Sequence, residues 1–287
     1  VMGSSDVVLT GSNSYSGATI VSGGVLHPRS PTALGTGASG TTVHPGGQVY
    51  LDVNIDIPDE SFALSGTVPS ALRKGGAGTS TLGGAITLTT DAAIEIDGGA
   101  TLNLTSPAGI SGAGMNLALA GDGLTAVGNI TGPVNLGSGA LVNAGGTWRL
   151  LSPVNNYSGR TYITGGRLEI GASGALGAAP GVPTPDYVNV DGGTLGAWTN
   201  VTLNDGQRGI TIGPNAGGGL YAAAGATFTI VNDIAGFMPI TNSGPGTVVL
   251  TGAKTWIGPL LVDTGSTTAN DGALRVDGSF LGSVLPP

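Results

Sequence analysis

A nine-residue phrase returns twice along this chain, and that recurrence constrains the fold more than any other feature of the sequence. Leu9-Thr-Gly-Ser-Asn-Ser-Tyr15-Ser-Gly17 comes back as Leu151-Ser-Pro-Val-Asn-Asn-Tyr157-Ser-Gly159 and again as Leu250-Thr-Gly-Ala-Lys-Thr-Trp256-Ile-Gly258. After the first two copies the echo continues at equal spacing. Gly23-Gly24-Val25-Leu26 answers Gly165-Gly166-Arg167-Leu168, and Ala33-Leu34-Gly35 answers Ala175-Leu176-Gly177. Self-similarity of this kind marks stacked units, each of which buries its apolar face only against a neighbour. It favours an elongated scaffold or binding surface over an enclosed pocket.

The residue content fits such a stack. Of 287 residues 55 are Gly, none is Cys, 40% are hydrophobic and only 9% are charged. Glycine this frequent without a strict three-residue period is not collagen. So little charge among so many aliphatics argues against disorder. Gly and Asn supply the positive φ that tight corners between short strands require. Net charge is −8 and the basic residues are scattered, Arg73-Lys74 apart, so nucleic acid is excluded as a partner: phosphate contacts need clustered Lys and Arg. No apolar run reaches the length of a membrane-spanning helix. The chain starts at Val1 with no signal peptide, which reads as a mature or excised portion of a longer precursor. Without cysteine, disulfides play no part in stability.

Short phrases alternate with period two, among them Ala93-Ile-Glu-Ile-Asp97, Ala100-Thr-Leu-Asn-Leu104, Tyr187-Val-Asn-Val-Asp191 and Ala226-Thr-Phe-Thr-Ile230. No window of a dozen residues keeps a helical apolar stripe free of glycine. A second marker, Gly-Gly or Gly-Ala before an alternating apolar pair, recurs at intervals of roughly 20 to 30 residues or about twice that. Such a coil holds three short strands and three turns. About a dozen coils at an inter-strand spacing of roughly 4.8 Å make a rod about 60 Å long. The expectation is one continuous parallel β-helix over 1–287, with loop insertions near 52–76, 178–186 and 264–271, where the alternation breaks. Alternation also assigns faces. Leu26, Val49, Leu51, Leu102, Leu104, Trp148, Leu150, Leu168, Ile170, Leu195, Phe228, Ile230, Leu274 and Val276 are expected inside. His27, Tyr50, Asn103, Arg149, Glu169, Gly196, Thr229 and Arg275 are expected outside. Arg149 and Glu169 fall on neighbouring coils by this count, as an exposed pair contributing under about 1 kcal/mol.

The long phrase resembles the passenger-associated transport repeat, also called the autotransporter-associated β-strand repeat. That family reads as an apolar strand, Thr-Gly, Asn-x-Tyr-x-Gly, a Thr-rich strand, Gly-x-Leu and Ala-Leu-Gly. The positions that carry the likeness are Tyr15, Gly17, Gly24 and Leu26, then Tyr157, Gly159, Gly166 and Leu168, then Trp256 and Gly258. The copies run from Val8 to about Leu51, from Leu150 to about Leu195 and from Val248 to about Val276, roughly half of the chain. The third departs, with Trp256 for Tyr, Pro259 after the glycine and a longer corner after Gly265. The resemblance implies an all-β, right-handed parallel β-helix in a secreted or surface-displayed bacterial protein, where such repeats build the stalk. It implies no catalytic residues.

The sequence offers little other chemistry. β-Helix enzymes that act on polysaccharides need clustered carboxylates, and Glu95 and Asp97, two apart on one strand, point outward about 7 Å apart. A solvated strand face ending in a turn explains them better. Asp52, Asp56, Asp59 and Glu60 form the densest acidic patch and are the only candidates for metal, in the sense that calcium needs six or more oxygens. An exposed polar loop explains them as well, and no cofactor is expected. The two histidines, His27 and His44, each precede Pro and read as surface turn residues. Tyr15, Tyr157 and Trp256 could stack sugars. Their separation by many coils instead favours aromatics packed over corner glycines, with Asn13 and Asn156 closing turns. Four Asn-x-Ser/Thr sequons, at Asn103, Asn129, Asn156 and Asn200, fit chance in so Asn- and Thr-rich a chain.

The reading reached is a structural, non-enzymatic component of an exported bacterial surface or filament protein, extracellular or on the cell surface. Neither end looks capped, so end-to-end self-association or continuation into a longer chain is expected. A surface glycan or cell-surface ligand is a further partner. A passenger adhesin and a polysaccharide-acting enzyme are the alternatives.

Overall fold

In the computed structural model, residues 1–262 and 273–277 are described. Among them the chain is all β, apart from one 3-10 turn at Ser173–Leu176, and every strand pairing is parallel. The strands stack as a β-solenoid of about 11 turns, close to the dozen expected. One inward ladder shows the construction. Val7 is in register with Leu26, and the column continues through Val49, Leu72, Ile94, Leu119, Asn143, Ile163, Val190 and Ile212. The coil length varies, from 19 residues between Val7 and Leu26 to 27 between Ile163 and Val190.

Each turn visits three faces in the same order. In mid-rod, the first face is Leu72–Lys74, the second Gly78–Leu82 and the third the start of Ile86–Ile96, whose end rejoins the first. Inward residues of the three faces fill the core. Leu26, Val49, Leu51, Leu102, Leu104, Trp148, Leu150, Leu168, Ile170, Leu195, Phe228 and Ile230 are all buried, and Leu274 packs against the cluster. Val276, expected inside, is exposed. Such a core is assembled from nearest-neighbour burial, so no coil has one of its own.

Residues 52–76 are not an insertion. They contain Asp56–Ile57, Phe62–Gly66 and Leu72–Lys74, one ordinary passage through the faces. Strands of two to five residues are too short for alternation to show. The inward position between Leu51 and Ile96 is filled by Lys74, which disguises the pattern further. Its buried ammonium donates to the carbonyls of Gly75 at 2.6 Å and Gly76 at 3.3 Å. Around 178–186, residues 177–183 form no strand, and Thr184–Val190 begins with a register shift between Thr184 and Val188, where Asp186 has φ 59°. The expected insertion at 264–271 lies outside the described residues.

The repeat is out of phase with the coil. In the first copy, Thr19–Val21 lies on the third face and Gly24–Pro28 on the first. In the second, Thr161–Ile170 supplies the first face and then the second. In the third, Leu260–Val262 lies on the second face, and Ala273–Asp277 follows in the series that takes the third position. Each copy is displaced by one face, so Tyr15, Tyr157 and Trp256 occupy three different corners of the rod.

Candidate binding surface on the rod

The repeat signature builds a corner. Tyr15 donates or accepts at Thr19 Oγ1 (2.7 Å), and Tyr157 does the same with Thr161 Oγ1 (2.9 Å). One coil later the Ala-Leu-Gly element passes beneath each tyrosine. A Cβ at Gly35 would collide with the carbonyl and ring of Tyr15, and one at Gly177 with those of Tyr157; both glycines also hold positive φ. Asn13 Nδ2 donates to the Ala33 carbonyl and Asn155 Nδ2 to that of Ala175, each at 2.7 Å. The turn-closing residue of the second copy is thus Asn155, not Asn156, which is exposed. Spacing from the tyrosine identifies it: Asn-x-Tyr in both copies. Gly17, Gly159 and Gly258 follow the aromatic by two residues, while Gly24 opens the next strand ahead of buried Leu26 and Gly166 lies within Thr161–Ile170 ahead of buried Leu168. Trp256 is buried, and its Nε1 donates to the Met238 carbonyl at 2.9 Å.

The four acidic candidates do not converge. Asp52 accepts from Arg29 Nε at 3.1 Å and Nη2 at 2.5 Å and lies 3.1 Å from His27 Nδ1. The Arg29 hydrogen bonds hold its carboxyl below the ordinary value. Asp56 and Asp59 are exposed. Glu60 is buried, accepts from Thr41 Oγ1 at 2.6 Å and is pushed up by burial. Among the described residues no group of three or more His, Asp or Glu could hold a metal ion.

Glu95 and Asp97 are engaged as well. Ser70 Oγ donates to Glu95 at 2.8 Å; Arg73 Nε (2.8 Å) and the Tyr50 hydroxyl (3.3 Å) donate to Asp97. Stacking sets Arg73 directly beside Glu95 in register, although 22 positions separate them in sequence. His27 is half-buried beside Tyr50, and His44 is exposed at a corner.

A different cluster stands out on the second face. Asn103, Asn129, Arg149, Glu169, Gly196 and Tyr221 form one outward column in continuous register. Asn129 Nδ2 donates to Asn103 at 2.9 Å, and Arg149 Nε donates to Glu169 at 2.7 Å. Arg167 Nε meets the other Glu169 oxygen at 2.6 Å. Two aromatics from later coils lean back onto these cations. The Trp198 ring centre lies 3.7 Å from the Arg149 guanidinium and the Tyr221 ring centre 3.9 Å from that of Arg167, both in cation–π range. The Arg149–Glu169 register is as expected, but the pair is not exposed: Glu169 has no accessible surface. Arg167 and the two rings enclose it. Gly196 makes the room, since a Cβ there would sit 3.0 Å from Tyr221 and 3.2 Å from Glu169. Two guanidiniums thus share one carboxylate. Beside them opens a groove of about 240 Å³, whose lining includes Thr194, Gly219, Thr241 and Ser243.

Comparison with known proteins agrees with this architecture. The Passenger-associated-transport-repeat family model matches residues 2–27, 145–170 and 240–276, the three phrases around Tyr15, Tyr157 and Trp256. A curated relative, the adhesin BmaC autotransporter of Brucella suis biovar 1 (strain 1330), is 27% identical over 267 residues. The alignment covers 91% of this chain and 7% of that protein, so the chain spans a small fraction of its relative's length. No solved structure matches. The shared tyrosine–threonine and asparagine–carbonyl bonds of the first two corners lie in and beside the matched stretches, and the chain carries passenger-associated transport repeats there.

Proposed function

We propose that this chain is a passenger segment of an autotransporter: a non-enzymatic β-solenoid stalk outside the bacterial cell, extracellular or on its surface, with adhesive use. The observation that carries the reading is the unbroken parallel stack, in which side chains with catalytic potential are spent on pairing between coils. Glu95 and Asp97 bond to Ser70, Arg73 and Tyr50, and Asp52 to Arg29. The related adhesin supports the adhesive part. End-to-end stacking of copies is a further part of the proposal, because parallel coils join one another through strand edges.

Electron microscopy of the purified chain over a range of concentrations tests the scaffold reading. Rods of single-chain length that lengthen into uniform fibres support end-to-end assembly. Rods that stay short at every concentration remove assembly and leave the stalk. Adhesion is read separately, by attachment of the chain to cultured cells. Hydrolysis or cleavage on a polysaccharide panel, lost on replacing Glu95 and Asp97 together, would overturn the non-enzymatic reading.

A further inference from the structure

We propose that the Arg149–Trp198–Arg167–Tyr221 cluster and its adjoining groove bind an acidic sugar, a glycan bearing a uronic-acid carboxylate. The proposal rests on the adhesive reading above and assigns it a site.

Three observations converge here. The first is charge. Arg29, Arg73 and Arg208 each meet a carboxylate of their own, whereas Arg149 and Arg167 share the single carboxylate of Glu169. One positive charge remains in a chain of net charge −8. Among the described residues the Arg167 side chain, 17% exposed, engages Glu169 and the Tyr221 ring, which leaves its Nη groups as donors facing the site. A planar guanidinium fork matches a carboxylate. The second is aromatic surface. Trp148 and Trp256 are buried, but Trp198 is 41% exposed at this cluster. Held by Arg149 beneath it, its ring is a fixed apolar plate for the C–H face of a pyranose. The third is the groove. Thr194 is the register partner of Arg167, and Thr241 follows through Gly219. Hydroxyls therefore line a path leading away from the guanidinium, spaced by coils rather than by residues. A hydroxyl-lined, glycine-floored groove of about 240 Å³ suits a sugar ring better than an acidic peptide, which would want a strand edge or an apolar channel.

Since Trp198 is the exposed tryptophan, its emission reports on the site directly. Trigalacturonate and its methyl ester, which keeps the rings and loses the charge, are titrated into the full chain. Fluorescence and calorimetry are read together. The acid is expected to perturb the emission and bind about tenfold or more tighter than the ester, as a charge-assisted hydrogen-bond pair implies. Arg167→Gln is expected to erase that preference. Thr194→Val lies outside the ion network, so it guards against a variant that merely misfolds, and a several-fold loss of affinity is expected with an unchanged circular dichroism spectrum. Equal binding of acid and ester, or a Glu-rich peptide displacing the trisaccharide at similar concentration, overturns the proposal. Attachment to cells separates this site from the reading it rests on. If the wild-type chain attaches and the Arg167→Gln chain attaches equally well, the adhesive reading stands and this site is wrong. If neither attaches, the adhesive reading falls and the titration alone decides the site.

Discussion

The first and second repeat copies make the same bonds and live in different surroundings. Tyr15 and Tyr157 each reach the threonine four residues on, each covers the glycine of Ala-Leu-Gly, and each is followed by a backbone bond to its own carbonyl, from Thr36 N in one copy and Ala178 N in the other. Yet Tyr15 is 40% exposed and Tyr157 is 0% exposed. The second copy has coils on both sides. Gly137 bridges to Tyr157 from the turn before, and Tyr187 donates to Ser158 and Ala178 from the turn after. Among the described residues the first copy has a neighbour on one side. The corner's geometry is thus written locally, while its energetic weight comes from the stack, as nearest-neighbour stability in solenoids requires.

The sharpest way to break this comparison is truncation of the two tyrosines. Tyr157→Ala opens a cavity in a fully buried corner and is expected to destabilise by about 3–5 kcal/mol. Tyr15→Ala removes a ring already in contact with water and is expected to lose under about 1.5 kcal/mol. Urea unfolding of both variants decides it. Equal losses would mean that the corner is stabilised within its own coil and that stacking adds nothing.

The glycine beneath the ring tests the opposite half, that the local geometry is shared. Gly35→Ala and Gly177→Ala each force a Cβ into a tyrosine carbonyl at positive φ. Each is expected to cost about 1–3 kcal/mol, alike in both copies, because the strain is local. A large loss at Gly177 with none at Gly35 would show that the first corner is soft and opens to admit the methyl. Next in size is the asparagine. Asn155 is buried and serves two coils, accepting from Val134 N at 2.8 Å while donating to Ala175. Its replacement by Ala strands two backbone groups and is expected to cost about 1–3 kcal/mol. Asn13 is half-buried with one side-chain bond, so Asn13→Ala is expected near the low end of about 0.5–1.5 kcal/mol.

Much of this was legible from spacing alone. The inward ladder, the parallel coil and the Arg149–Glu169 register all follow from the two-residue alternation and the repeated phrase. What failed to show is whatever depends on which coils meet. Trp198 and Tyr221 reach their cations from later turns, so no local window pairs them with Arg149 and Arg167. Glu169 reads as an outward residue and is one, but Gly196 lets the rings fold over it. Lys74 hides a regular coil because a cation is not expected at an inward position; the corner carbonyls that satisfy it belong to backbone, which has no signature in the sequence. The displacement of each copy by one face is invisible for the same reason, since coil length varies between the copies.

The third copy offers the smallest and most selective test. At the position of Asn13 and Asn155 it carries Lys254, buried, with Nζ donating to the carbonyls of Asn232 at 2.9 Å, Val231 at 3.1 Å and Thr251. Burial pushes this ammonium below the usual lysine value of 10.5, with Asp233 pulling back the other way. The folded chain therefore holds that proton less firmly than the unfolded chain does. By linkage, raising the pH through the folded value and up to 10.5 strengthens the wild type, and lowering it again removes the gain. Lys254→Met carries no such proton. The stability of wild type minus that of Lys254→Met should rise with pH over this alkaline window and be flat from neutral pH downward. The same difference taken for Asn155→Ala should be flat throughout, because no titrating group is exchanged there. A flat curve for Lys254 would mean that the three carbonyls solvate the ammonium as well as water does, and that the third corner substitutes lysine for asparagine without penalty.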